Sequence, residues 1–576
     1  MCIFHMQGAL EDCKWAFRVD EKCIKAAIIE GKAYVGLKQY ERAVECFCKA
    51  KVMDPKKEAV IDEYIDRAMI RQRAESDEQE AGTTSEATNE TGLVGVLEKI
   101  GKDGQPVLYY IGGLEVVRQK MSDHVARTLF RSAGGFELAD THPEIDRCLN
   151  SKPSSLGPSE VQLMTLFLTV LRDACIDNEE NQCHVLSSKH LPRQLMTFIE
   201  SAPECPDLAS AAVDLLLHLS QTARNRSEIV ARYDSVRLIS AAFVVARRLR
   251  GSTVATNMQR LICNLAMTDQ LRRQLRDDFD ESVLPSFNSL LDGDQLLDVS
   301  PTAGVTLSVK TLVNLCGDSW LRSRLAASRS TWAVLVAVLG RLADRQSASE
   351  FASTILSLLA NMAIGGTSGA ADADLTQLSA LCTDLVCRVG DTTELADRCY
   401  LVLSRVLRAS DEGLRAAVDK GFVGAASRDL DHVVSERQVR GEMLSHCLAA
   451  LTACTLHSDL SRRQIVDSKP PVVPVLVGLL LSHEHYDDLV IGNAALCLSH
   501  CISLPSAVRQ LTKAVAGSEI IMTLLVLARD QAKPTVQHNC AILIAKLVQQ
   551  HAPFLDQLRE LHGLEILHTV LRHVEH

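Results

Sequence analysis

The sequence predicts an all-α solenoid, a short stretch of one helical repeat followed by a long superhelix built from another. Three observations predict it. At 576 residues the chain is longer than one compact core accommodates, a limit that stacked repeats evade. Hydrophobic residues make up 47% of the chain and aromatics only 4%, with Leu and Ala abundant, which suits stacked amphipathic helices better than sheets. The chain also matches itself at two different periods.

The first period lies at the N-terminus. ALEDCKWAFRVDE superimposes on AVECFCKAKVMDP at a shift of 34 residues, placing Ala9 on Ala43, Ala16 on Ala50 and Asp20 on Asp54. That is the period of the tetratricopeptide repeat (TPR), a pair of antiparallel helices. Gly31 and Ala43 leave room where the first helix meets the second, and Tyr34, Tyr40 and Phe47 fill the gaps around them. Ala50 admits the next helix, and Pro55 stops the second. Residues 1–73 are therefore expected to form a half repeat, one full repeat and a capping helix over Glu58–Arg73. Because the first unit has a second helix but little of its first, an N-terminally shortened array is expected.

The segment 74–92, AESDEQEAGTTSEATNETG, carries six acidic residues, no basic ones and no bulky apolar ones, and is predicted to be a flexible linker. Residues 93–157 contain two glycine pairs, in VLYYIGGLEVVRQKM and TLFRSAGGFELA, and are expected to hold degenerate helical repeats ending at the break NSKPSSLGPS.

From 158 to 576 the period lengthens. One column through successive helix ends reads His218, Asn264, Asn314, Asn361, Arg405, Thr452, His500 and Lys546. Its steps of about 44 to 50 residues lie near the armadillo/HEAT range. After each helix end comes a short helix, a break and a second helix, with Pro285, Gly421, Pro470 and Gly563 at the breaks, where helix continuation fails. An armadillo-like array is the expectation, its longer third helices lining one face.

Composition excludes several functions. A formal charge of −11 argues against a nucleic-acid partner, which would require a concentrated basic surface. The 19 cysteines lie in apolar helical stretches and read as reduced thiols of a cytoplasmic protein. PPVVPVLVGLLLS is interrupted by prolines and falls short of the roughly 20 residues that cross a bilayer, so no membrane partner is expected. No phosphate loop, nucleophile elbow or zinc-protease helix occurs. HEHYDD (483–488) has metal-binding residue types but the composition of a solvated loop, and Cys46 and Cys48 fall on different helix faces. No catalytic residue, metal, cofactor or small-molecule substrate is expected.

Binding is the remaining function. In armadillo arrays that hold extended peptides, an Asn near the end of the third helix bonds the guest backbone, and Asn264, Asn314 and Asn361 occupy that column in three consecutive units. A side-chain amide both donates and accepts, which suits the task, although it also suits bonding a neighbouring helix end. Four residues earlier stand Arg260, Lys310 and Ser357, where nuclear-import adaptors carry tryptophans. The expected groove residues are Asn264, Asn314, Asn361, Lys310 and Arg260. On the first segment Lys25 matches the Lys of a two-carboxylate clamp for chaperone tails, but Ile29 replaces its Arg and cannot make the bidentate bond.

A short TPR segment, an acidic linker and a long armadillo array, with ALEDCKWAFRVDEKCIKAAIIEGKAYVGLKQYERAVECFCKAKVMDP and VLYYIGGLEVV, resemble a family of TPR-plus-armadillo axonemal dynein assembly factors over nearly the whole chain. The resemblance implies a cytoplasmic, non-enzymatic scaffold or co-chaperone in the pre-assembly of dynein arms for motile cilia and flagella. Its implied partners are dynein chains, other assembly factors and chaperones. Members of that family carry about three TPR units, against one and a half here. The alternatives are a myosin-type TPR/armadillo co-chaperone or general adaptor and, more remotely, an enzyme subunit whose site is assembled from distant residues.

Overall fold

The computed structural model describes residues 2–20, 23–54, 57–83, 92–292, 303–342, 349–389, 394–435, 441–515 and 519–574, and every regular element among them is a helix. The predicted all-α repeat architecture is what is found. The chain divides into two compact units, Met1–Asp234 and Ser235–His576.

The first unit opens with α1 (Cys2–Val19), α2 (Ile24–Gly36), α3 (Tyr40–Met53) and α4 (Glu58–Thr83), each packed on the next. Small residues set the approach of α2 to α3. A Cβ on Gly31 would lie 2.5 Å from the Phe47 ring, so only glycine admits that ring. Phe47 is buried with Ala27, Ala43 and Ala50, and with Ile61 and Ala68 of α4. Its ring stacks on Tyr64 at 5.5 Å between centroids. Lys51 reaches from α3 to Glu58 and Asp62 of α4, at 2.8 Å each. Pro55 lies outside the described residues; α3 ends at Met53, with Asp54 extended.

Two expected boundaries shift. Helix α4 does not stop at Arg73 but runs on to Thr83, through the first half of the segment read as a flexible linker. AESDEQEA is rich in Ala, Glu and Gln, which favour helix, and extending an existing helix requires no new nucleus. Residues 84–91 lie outside the described residues. Beyond them come α5 (Leu93–Ile100), α6 (Val107–Lys120) and α7 (His124–Ser132), and α4 packs directly on α7. The boundary at 157/158 also falls inside a repeat, because α7 and Pro143–Asn150 precede the third helix Pro158–Ala174. The Pro/Ser/Gly stretch there is the ordinary link into that helix, with Glu160 accepting the Gly157 N–H at 2.7 Å.

A buried polar node fastens α7 to the next first helix, Glu179–Ser187. Arg131 donates to Asn181 Oδ1 at 2.8 Å, while Asn181 Nδ2 donates to the carbonyls of Arg127 (3.0 Å) and Ala174 (2.7 Å). Asn181 is fully buried, so these bonds remove the penalty of hiding its amide.

In the second unit the third helices Thr253–Leu265, Ala303–Leu315, Ser349–Gly365, Glu394–Val406, Gly441–His457, Asp488–Cys501 and Pro534–Gln550 pack side by side in a row. The breaks sit where proline and glycine place them. Pro285 lies in the first turn of Leu284–Leu291, Pro470 precedes Val472–Leu481, and Gly563 opens the helix Gly563–Val574. Gly421, with φ +87, separates Asp411–Asp419 from Phe422–Ser435; that left-handed conformation favours glycine. One module departs from the pattern: a single helix, Asp372–Val389, stands where its neighbours have two.

Substituting Gly31→Val is expected to destabilise the α2–α3 pair by about 1–3 kcal/mol through overpacking against Phe47. Hydrogen exchange should show lost protection in α2 and α3 and none in Ala303–Leu315.

Candidate partner-binding face

An α-helix leaves its last four carbonyls without intrahelical partners, and the side chains at the ends of the third helices are placed by that need. A capping residue starts each of several first helices: Thr222, Thr268, Asp318 and Ser458 accept the N–H three residues on, at 3.2, 3.4, 3.0 and 3.1 Å. Four residues after each cap an arginine turns back over the preceding third helix. Arg226 donates to the Ser220 carbonyl (3.1 Å), Arg272 to Ala266 (3.0 Å), Arg322 to Cys316 (3.2 Å) and Arg462 to Thr455 (2.7 Å). The sequence reading missed these arginines, although the spacing of a cap and Arg at +4 is visible in TARNR, TDQLR, DSWLR and SDLSR.

The expected column performs a related task. Asn314 Nδ2 donates to the Cys263 carbonyl at 3.2 Å, Lys546 Nζ donates to the Ser499 carbonyl at 3.0 Å, and Arg405 donates to the Ala360 carbonyl. In all three the acceptor is the residue immediately before the equivalent column position in the preceding third helix. The column therefore stitches adjacent modules together. Asn314 also approaches Cys263 Sγ at 3.3 Å.

The expected groove residues thus separate into different environments. Asn314 has its amide donor engaged between modules, and Asn264 is half-buried with an interaction of its own. Asn361 is half-buried and carries no hydrogen bond among the described residues. Arg260 and Lys310 are exposed on adjacent helices, and neither has an ion pair or hydrogen bond among the described residues. Ser357 bonds back to its own helix at the Ser353 carbonyl, 2.9 Å. In the first unit Lys25 is exposed on α2, one turn before Ile29, which is also 50% exposed.

The candidate metal ligands have other occupations. Glu144, Cys148 and Glu160 bring ligand atoms within 4.8 Å of one another. Arg147 occupies the position a cation would take, at 2.8 Å from Glu144 and in contact with Glu160. The Gly157 N–H and then Arg147 hold the Glu160 carboxyl below the usual range, while burial pushes the Cys148 thiol up to about 11. In HEHYDD, Asp488 pairs with Lys533 at 2.7 Å. Cys46 is buried and Cys48 exposed, on different faces. Among the described residues no single helix is long and apolar enough to cross a membrane.

No protein-family model matches the chain. Tetratricopeptide repeat protein 12 of Mus musculus is 30% identical over 577 residues, 99% of this chain and 78% of that protein. The Homo sapiens protein of the same name is 29% identical over 579 residues, covering 99% and 77%. Two solved structures share the fold. One, from work on a phosphorylation switch controlling the interaction between cadherin and beta-catenin, gives a TM-score of 0.52 at 16% identity, over 84% of this chain and 97% of that one. The other, SYS-1, gives 0.59 at 12% identity, over 80% and 86%.

Asn314→Ala leaves the Cys263 carbonyl without its donor and is expected to cost about 1–2 kcal/mol, whereas Asn361→Ala should stay within about 0.5 kcal/mol. Urea unfolding followed by the fluorescence of Trp320 and Trp332 measures both; equal costs would mean the column has one uniform role.

Proposed function

Because the chain belongs to the family of tetratricopeptide repeat protein 12, whose all-α architecture is that of a non-enzymatic protein-interaction scaffold, we propose that it acts in the cytoplasmic pre-assembly of axonemal dynein arms for motile cilia and flagella. Its third-helix face in the second unit holds an extended segment of a dynein chain or of another assembly factor. The first segment meets a chaperone or a further partner through the exposed Lys25 on α2. The dynein role rests on the family resemblance, carried by the order of TPR segment and armadillo array over the whole length. The holding role is supported by one observation: the Asn361 amide has no hydrogen bond among the described residues, within a row of helices where Asn314, Arg405 and Lys546 each donate to a backbone carbonyl of the preceding helix. A stacked array suits such a task because its surface is long and made of equivalent positions.

Affinity purification from ciliated cells tests this reading. Axonemal dynein chains and assembly factors are expected among the captured proteins, and Asn361→Ala should lower their recovery several-fold without unfolding the array. Recovery of myosins in their place, or dynein chains at background level, would overturn the assignment.

A further inference from the structure

Two cations on the third helices of the second unit have no ion-pair partner among the described residues. Arg260 and Lys310 stand four residues before Asn264 and Asn314, at equivalent places on packed helices, and both are exposed without a carboxylate partner among the described residues. Next to Asn361, Arg405 lies over the Ala360 carbonyl, and its guanidinium is destabilised first by burial and then by the like charge of Arg322. The positions Arg260, Asn264, Lys310, Asn314, Ser357 and Asn361 include no carboxylate, although the whole chain carries a charge of −11.

We propose that this face selects an acidic, extended polypeptide segment, whose carboxylates pair with Arg260 and Lys310 while Asn361 bonds its backbone. The inference rests on the holding role above and adds the chemistry of the guest. Packed helices lie about 8–10 Å apart, and an extended chain advances about 3.3 Å per residue. Acidic side chains two or three residues apart therefore match the step from Arg260 to Lys310. Nucleic acid fits less well, because two separated cations do not form the basic track a phosphate backbone requires and none of these six residues supplies an aromatic stacking surface.

Fluorescence anisotropy of the full chain with a labelled Glu-Ser repeat peptide, its Gln-Ser counterpart and oligothymidylate tests the proposal. The Glu-Ser peptide should bind at least about tenfold more tightly than the Gln-Ser peptide, and added salt should weaken it. Arg260→Glu with Lys310→Glu should abolish that preference, and Arg260→Gln with Lys310→Gln should reduce it, with circular dichroism reporting an intact fold. Asn361→Ala should weaken both peptides alike. Equal binding of the two peptides, no effect of the paired charge substitutions, or tighter binding of oligothymidylate would overturn acidic selection. If partner recovery from ciliated cells still falls with Asn361→Ala in that case, the holding role survives the loss of this inference; if it does not, both fall.

Discussion

The constraint on which the second unit depends is that carbonyls at the ends of the third helices must find donors. Water would satisfy them at an open helix end, but packing the next module over that end removes water. The chain meets the demand in two ways. In three modules an arginine four residues after the first-helix cap folds back over the end of its predecessor, as Arg272, Arg322 and Arg462 do. A polar residue of the following third helix donates from the other side, as Asn314 and Lys546 do, while Arg405 reaches the Ala360 carbonyl further inside its helix. Cationic donors also meet the negative end of the helix dipole, so these positions favour Arg and Lys for reasons unrelated to any guest.

Seen from this constraint, the polar column has two uses. Where the side chain is short and its neighbour's carbonyl is free, as at Asn314, the amide becomes part of the scaffold. At Asn361, half-buried on the third helix Ser349–Gly365, the amide carries no hydrogen bond among the described residues. A binding position in such an array is what remains after the helix ends have been satisfied. Arg260 and Lys310, without an ion pair among the described residues, share that position with Asn361.

Local features were legible in the sequence because their physics is local. Gly31 against Phe47 was readable from size and spacing alone, as were Pro285, Gly421, Pro470 and Gly563 at the breaks. The extent of α4 was misread because composition was weighed as if the acidic segment had to order itself, when it needed only to continue a helix already formed. The link before Pro158 was taken for a domain break because proline, serine and glycine mark both. The single helix Asp372–Val389 has no flanking signal that distinguishes it from two. The column was visible, but its acceptors are backbone carbonyls, which carry no signature in an amino-acid string; this is why Asn314 and Asn361 looked alike and are not.

Helix α4 connects two kinds of repeat within the first unit. Its 26 residues give it a length of about 39 Å, and it packs against both α3 and α7. A stiff rod seated on both cannot tilt at one end without moving at the other. A molecule that pushes α3 aside would thereby apply torque to α7, whose Arg131 and Arg127 are held by buried Asn181. The TPR portion is in this sense the handle of a crowbar, and the node at Asn181 is where its load would first be felt.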